Sequence, residues 1–455
     1  MLTKKLLLSL LSGMLLLASF FIPILFWFSF IPLFLAINNS TFFITILSGT
    51  ICGGIFTLLY SAWLLKHTAK AFWVVWPLAT LFFILFVSLS HPILRLLKNK
   101  WLQSLVYPAV FVSLYYLYSF LPIGSYWAFT NTDIFTIRSI SFFGISGLLF
   151  VVIFSQSSMV FAFSDNSKYK KSLLAPAPAI FFVLLFLGVL TAPQIEGDIT
   201  LGIAQPNLPL SETWRKENID LIIEKYCELG DKIVKQGAEI IIYPQYSFPC
   251  EITDSRVARL LEFARNKKVY IILGTYVDLF NTAVLISPDG NVVDQYSGYG
   301  APPFRAGEQE KASQLNTFKT EYGSMGALLC YDDTSYRVAR KLVYELGAEL
   351  LVAPVNDGYF EGTFQPLLHL SRTIHRAIEN RRFLVRAAAK GISCIVDPFG
   401  RIIEKLDIGK EGIIVRKVAF IDRLSLFSIT GDFVSPISLV LTLFLLLYGL
   451  ITRKK

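Results

Sequence analysis

The chain has 455 residues, 54% hydrophobic and 16% charged, with a mean hydropathy of +0.56, which is too apolar for an ordinary soluble protein. Residues 1–194 carry 11 Lys/Arg against 2 Asp/Glu and 433–455 carry 3 against none, a surplus of 12, whereas 195–432 carries 28 against 31, a deficit of 3. The net charge of +9 therefore belongs to the apolar parts, which argues against a nucleic-acid partner and for a membrane.

Uncharged stretches run over 6–65, 71–94, 101–132, 139–164, 172–195 and 433–452. Each is long enough for a spanning helix, which needs about 20 apolar residues. The first holds three spans, broken near Pro23 and again at Asn38-Asn39-Ser40-Thr41, so eight helices are expected. Lys4-Lys5 before an apolar run is also how a signal peptide begins, but no small-residue cleavage site follows, and the expectation is a retained first helix. Short-loop charge sets the orientation. With seven spans before 195 and a cytoplasmic start, 11 Lys/Arg fall inside and 3 outside (Lys66, Lys70 and Arg138). That arrangement puts 195–432 on the extracytoplasmic side, with 433–455 returning the C-terminus to the cytoplasm.

From about 199 to 418 the pattern changes to short β-rich runs alternating with amphipathic helices, the signature of an α/β domain. Strands are expected at 199–204, 239–243, 269–275, 282–287, 326–330, 350–353 and 393–396, and helices at 212–236, 254–266, 335–346 and 364–380. Ser287-Pro-Asp-Gly and Asp397-Pro-Phe-Gly read as hairpin turns.

Candidate chemistry is sparse. The five cysteines form no CxxC pair and are odd in number, so a free thiol is expected. Cys52, Cys227 and Cys394 read as buried small hydrophobes, but Cys330 ends the apolar run Gly326-Ala-Leu-Leu and precedes Tyr-Asp-Asp and a helix. A strand-to-helix turn can hold a nucleophile rigid and exposed. His369 and His375, six apart on one expected helix, do not share a face, so neither a metal site nor a Cys-His dyad is expected, and a nucleophilic Cys330 needs a carboxylate or lysine partner. Glycine-rich nucleotide loops do not occur, and no cofactor is expected. A transporter reading is disfavoured because the spans hold almost no ionisable residue.

Six runs resemble the motifs of the nitrilase (carbon–nitrogen hydrolase) superfamily: Ile203-Ala-Gln-Pro-Asn-Leu-Pro, Glu239-Ile-Ile-Ile-Tyr-Pro, Ser287-Pro-Asp-Gly-Asn, Leu328-Leu-Cys-Tyr-Asp, Val355-Asn-Asp-Gly-Tyr-Phe and Asp397-Pro-Phe-Gly-Arg. Joined to the spans, with Thr430-Gly-Asp-Phe at the re-entry and Leu121-Pro-Ile-Gly-Ser-Tyr-Trp between spans, the layout resembles the apolipoprotein N-acyltransferase family. The resemblance implies a polytopic α-helical membrane domain (1–194 and 433–455) around an αββα sandwich (195–432). It also implies a two-step reaction: a cysteine takes an acyl chain from phospholipid as a thioester and passes it to the α-amine of a diacylglyceryl lipoprotein. Of the implied Glu-Lys-Cys triad, Cys330 matches the nucleophile. Gln245 stands at the general-base position and Gly298 at the lysine position.

Trp214 and Tyr331 match substrate-lining positions, Asp332 stands as a shortened acid after Cys-Tyr, and Glu308 is the nearest candidate for a displaced loop acid. Glu251, Arg305 and Lys311 are the nearby charged residues that could stand in. Two readings follow: an acyltransferase with an atypical base and cation, or a degenerate relative that binds lipoprotein or phospholipid without turnover. The partners expected are these two substrates and the membrane. No oligomeric state is legible, and a monomer is the working expectation.

Overall fold

The computed structural model describes residues 2–67, 69–121, 137–164, 170–174, 176–190, 195–213, 215–248, 250–277, 280–298 and 314–453. Trp214, Glu308, Arg305, Lys311 and the motif after Leu121 lie outside them. The chain divides into two compact units, 1–192 with 430–455, and 193–429.

All eight apolar stretches contain helix. Among the described residues, four helices are long and apolar enough to cross a membrane: Phe42–Ser61, Ala69–Leu96, Ile140–Phe163 and Val434–Arg453. The others are shorter, and the second expected span departs most from a regular helix. It is a 3₁₀ turn, Pro23–Trp27, followed by a seven-residue helix, Ile31–Ile37. Even as continuous helix, 15 residues would rise only about 22 Å, less than the ~30 Å hydrocarbon core. Prolines near the start of both pieces account for the break. Backbone groups freed by a break must be satisfied within the protein when water is absent. Gln156, on Ile140–Ser164, does this: its Oε1 accepts from Phe30 N–H at 2.7 Å and its Nε2 donates to Phe26 O at 3.0 Å. Asp432 caps the last helix, accepting from Ser435 N–H, and also accepts from the hydroxyls of Ser146 and Ser435.

Among its described residues the second unit holds twelve strands. In chain order they are β1 (Ile199–Gln205), β2 (Ile240–Ile242), β3 (Tyr270–Val277), β4 (Phe280–Ile286), β5 (Val292–Ser297), β6 (Thr317–Thr320), β7 (Gly323–Ala327), β8 (Leu350–Val355), β9 (Leu384–Ala388), β10 (Ser393–Val396), β11 (Ile402–Leu406) and β12 (Gly412–Val418). They form two six-stranded sheets, β12-β1-β2-β3-β4-β5 and β11-β10-β9-β8-β7-β6.

Strand alternation explains the layers. Leu201, Ile203, Ile240, Ile242, Ile272 and Leu285 enter the core shared with the second sheet. Their neighbours Ala204, Ile241, Ile271 and Leu273 face the helices Ile219–Val234 and Ala258–Lys267. The second sheet is backed by Tyr336–Tyr344 and Gln365–Asn380 through Val338, Leu342, Leu370 and Ala377. The result is an αββα sandwich.

Sequence reading and structure differ at three places. The strand expected at 326–330 ends at Ala327, because Cys330 adopts a left-handed φ of 52° that no strand accommodates. The helix expected at 212–236 begins properly only at Ile219. β6, β9 and β12 were not expected, and β5 and β11, implied only as the second arms of the two hairpin turns, were given no bounds because they are exposed edge strands without clear apolar alternation.

Candidate active site

Cys330 opens a 3₁₀ turn, Cys330–Thr334, directly after β7. A left-handed conformation at a non-glycine residue is sparsely populated and persists only where surroundings impose it. Leu328 N–H donates to Val352 O at 2.8 Å, anchoring the approach to the turn on β8, and Ser335 N–H donates back to Asp332 O at 3.0 Å. The thiol therefore stands on a rigid corner, as a strand-to-helix nucleophile does. Its residue is partly exposed, yet its surroundings disfavour ionisation. Burial, and then the carboxylates of Asp333 and Asp357, push the thiol up to about 12, with Arg386 opposing.

The next residues form the floor of the site. Asp332 is fully buried. Its Oδ2 accepts from the Tyr296 hydroxyl at 2.7 Å and from Leu329 N–H at 3.3 Å. Tyr331 is half-buried, and its carbonyl accepts from Thr334 Oγ1. Asp333 turns the other way: its Oδ1 meets His369 Nε2 at 2.7 Å and its Oδ2 accepts from Thr373 Oγ1 at 2.6 Å. His369 Nδ1 in turn meets Asp357 Oδ1 at 2.9 Å, and Arg386 Nη2 donates to Asp357 Oδ2 at 3.0 Å.

Burial works against a charged His369, but Asp333 and Asp357 outweigh it and raise the imidazole to about 9. At neutral pH the network thus pairs two carboxylates with two cations. Arg386 Nη2 also lies 2.9 Å from His369 Nδ1, so both cations converge on Asp357. A Cβ at Gly391 would stand 2.6 Å from Asp357 Oδ2, so only glycine lets the chain pass this carboxylate.

Sequence reasoning missed this network. It weighed His369 only against His375, whereas its partners lie 36 and 12 residues away. The second aspartate of Tyr331-Asp-Asp and the Asn-Asp of the motif at 355 were the available signals. With both ring nitrogens engaged, His369 has no lone pair left for a thiol proton, so it positions the turn and does not act as its base.

The opposite wall comes from the first sheet. Gly274, Ala283 and Tyr296 form one row across β3, β4 and β5, and Ala283 and Tyr296 belong to the inter-sheet core. A Cβ at Gly274 would meet Gln245 Cα at 2.5 Å. The loop after β2 therefore folds onto this row, and Gly274 is what admits it. Gln245 is buried there. Gly298 lies two residues beyond Tyr296, its N–H donating to Asn281 O at 3.0 Å. A Cβ there would come within 4 Å of Leu329 and Asp332. The structure thus brings Gly298, Asp332 and Cys330 together, with Gln245 on the same face. Glu251 is on the far side of this loop, bridged to Tyr276.

Two family models match the chain: the apolipoprotein N-acyltransferase N-terminal domain over residues 12–158 and the carbon-nitrogen hydrolase domain over 200–422. The apolipoprotein N-acyltransferase of Rickettsia typhi is 25% identical over 96% of this chain and 96% of its own length. The chain belongs to the apolipoprotein N-acyltransferase family. Family members from Rickettsia prowazekii, 24% identical over 96% of this chain and 95% of that protein, and from Aquifex aeolicus, 27% identical over 48% and 54%, are further relatives.

Among solved structures, a carbon-nitrogen hydrolase from Helicobacter pylori is 18% identical with a TM-score of 0.42, covering 49% of this chain and 89% of that one. An amidase from Nesterenkonia sp. is 19% identical with a TM-score of 0.38, covering 50% and 93%.

Proposed function

We propose that this family member is a membrane N-acyltransferase. In this reading Cys330 takes an acyl chain from a phospholipid as a thioester and delivers it to the α-amine of a diacylglyceryl lipoprotein. The observation that carries the reading is the thiol at a left-handed corner after β7, in a chain similar to named apolipoprotein N-acyltransferases along almost its full length. Fold alone would not support it, since one fold hosts many chemistries. Eight membrane passes, with Pro23–Ile37 as the short one, and an extracytoplasmic catalytic unit follow from the loop charges, 11 inside against 3 outside. The acyl donor would then come from the same bilayer.

The chemistry proceeds under a handicap. A missing general base typically loses 10²- to 10⁴-fold, and a missing oxyanion donor about 10²- to 10³-fold, although such losses rarely add. Gln245 can still donate a hydrogen bond to a developing oxyanion through its amide, and Tyr296 holds Asp332 beside the thiol. Trp214, Tyr331 and Glu308 are proposed substrate-lining residues on the family resemblance. A binding-only relative is the reading that Gln245 and Gly298 would favour, but relatives named for the activity along the whole chain do not favour it.

Mass spectrometry of lipoprotein N-termini, in a strain whose only such protein is this one, tests the proposal. N-acylated termini are expected, and free α-amines on every lipoprotein would overturn it. In acid-quenched samples the acyl adduct should map to Cys330 and vanish in Cys330→Ala, and an adduct that persists would remove Cys330 from the role.

A further inference from the structure

Cations from separate segments gather at one end of the first unit. Lys5, in the first turn of the helix Leu2–Ala18, donates from Nζ to Ser40 Oγ. Arg95, near the end of Ala69–Leu96, donates from Nη2 to Ser40 O at 2.8 Å. Ser40 is buried in the turn that follows the short helix Ile31–Ile37, so two positive charges from different helices share the oxygens of one residue. Lys98 and Lys100 come directly after Arg95, with Lys100 Nζ 5.7 Å from the Phe161 ring centroid. A Cβ at Gly449 would stand 2.7 Å from Leu96 Cβ, which brings Arg453, about one turn further on, to the same end.

These charges have no counterpart in their own unit. The described residues of 1–192 and 430–455 include a single carboxylate, Asp432. It lies at the opposite end of Val434–Arg453, whose 20 residues rise about 30 Å. Among the described residues, Lys5, Arg95, Lys98 and Lys100 make no ion pair. An ammonium carries three N–H donors and a guanidinium five, so Ser40 leaves most of the donors on Lys5 and Arg95 unused. Arg95 is exposed and Lys5 half-buried, so both can be reached from outside. Trp101, half-buried beside Lys100, is the kind of aromatic that sits at headgroup depth.

A bias of Lys and Arg toward one side of a membrane does not require two of them to meet on one buried serine. Basic pockets between the ends of spanning helices bind anionic headgroups, and phosphate oxygens take charge-assisted hydrogen bonds from Arg and Lys. We propose that Lys5 and Arg95, with Lys98 and Lys100 at the rim, form a site for the headgroup of an anionic phospholipid, a phosphodiester without an amine. A zwitterionic headgroup fits less well, because its own ammonium would meet four cations. The bound phosphate ties the start of the first helix to the end of Ala69–Leu96 beside the short second pass. No residue of the second unit takes part, so the site stands whether or not Cys330 transfers an acyl chain.

The experiment follows the thermal midpoint of the full chain, delipidated in dodecyl maltoside, as lipid is added back. Phosphatidylglycerol should raise the midpoint saturably, and phosphatidylethanolamine with the same acyl chains should not. Lys5→Gln combined with Arg95→Gln should weaken the apparent affinity for phosphatidylglycerol by about 25-fold, at about fivefold for each charge near the surface. Lys98→Gln combined with Lys100→Gln should weaken it in the same direction, and covers the case in which the first pair misfolds. Lys66→Gln with Lys70→Gln, beyond the other end of Phe42–Ser61, should leave it unchanged.

Equal stabilisation by the two lipids would overturn the site. So would inorganic phosphate acting as well as phosphatidylglycerol at the same concentration, which would assign the cluster to a soluble anion. Phosphatidylglycerol held only at Cys330 as an acyl donor would keep its full affinity in both cluster variants, and that result would also remove the site.

Discussion

The two walls of the site differ in what they offer the thiol. On the second-sheet side, Asp333, His369, Asp357 and Arg386 are all buried, and each carboxylate oxygen and ring nitrogen among them has a partner. On the first-sheet side, Gln245 and Gly298 carry no charge and Asn281 Oδ1 lacks a donor. The contrast separates two properties that usually occur together. The corner that presents Cys330 is fully supported, while Gln245 and Gly298 bring no charge to the thiol from the first sheet. Geometry and reactivity are thus encoded on different sheets, and substitutions on each should have effects of different kinds.

The largest expected effect tests the supported wall. Removing one partner of a buried charge pair leaves the other uncompensated and costs about 3–5 kcal/mol. Arg386→Met should therefore lower the thermal midpoint of the full chain strongly, by leaving His369 as the one cation between Asp357 and Asp333. A midpoint within a degree or two of wild type would show that the network does not hold the turn.

The pH dependence of the same wall comes next. His369 has its pKa raised from 6.5 to about 9. Below about pH 6.5 the imidazole is protonated in both folded and unfolded chains, and its contribution is fully present. Between 6.5 and 9 the unfolded chain gives up the proton while the folded chain keeps it, so stability falls as pH rises and the contribution is gone above 9. The total is on the order of 3 kcal/mol, at up to about 1.4 kcal/mol per pH unit. Denaturation midpoints across that window should show the decline in wild type and a flatter profile in His369→Gln. A flat wild-type profile would mean that His369 is neutral in the fold.

On the deficient wall a substitution should add function. Gln245→Glu puts a proton acceptor of the same size in the loop that Gly274 admits. Thioester formation at Cys330 should then rise by about 10²-fold, with no comparable change in thermal midpoint. A rate that does not move would show that the first sheet is not where reactivity is lost.

What could be read from the sequence follows the same division. Cys330 was legible because an apolar run stops at it and a polar turn begins. Its left-handed φ was not, since nothing local distinguishes it from the residues before it. Gln245 and Gly298 were legible as departures from the family motifs, and the structure adds that Gly298 faces Asp332. The network around His369 was illegible because Arg386 lies in a strand, Leu384–Ala388, that the sequence did not announce, and only the fold brings Asp357 beside it. The apolar stretches announced a membrane protein, but their lengths alone did not reveal that Pro23–Ile37 is broken and needs Gln156 to satisfy it.

The smallest effect sharpens the comparison by holding charge constant and changing burial. Lys225 donates to Glu411 at 2.7 Å, joining the helix Ile219–Val234 to the start of β12, with the two side chains 25% and 46% exposed. The hydrogen bond to Glu411 raises the lysine pKa, as Asp333 and Asp357 raise that of His369, but solvent screens this pair and both partners lose side-chain freedom to form it. Exposed pairs are worth about 0.2–1 kcal/mol and less in salt. Glu411→Gln should accordingly shift the denaturation midpoint slightly at low ionic strength and imperceptibly at high salt, whereas the Arg386→Met loss should be nearly the same at both. Equal salt sensitivity of the two variants would mean that water reaches the His369 network, and that the wall behind Cys330 is less closed than its side-chain burial indicates.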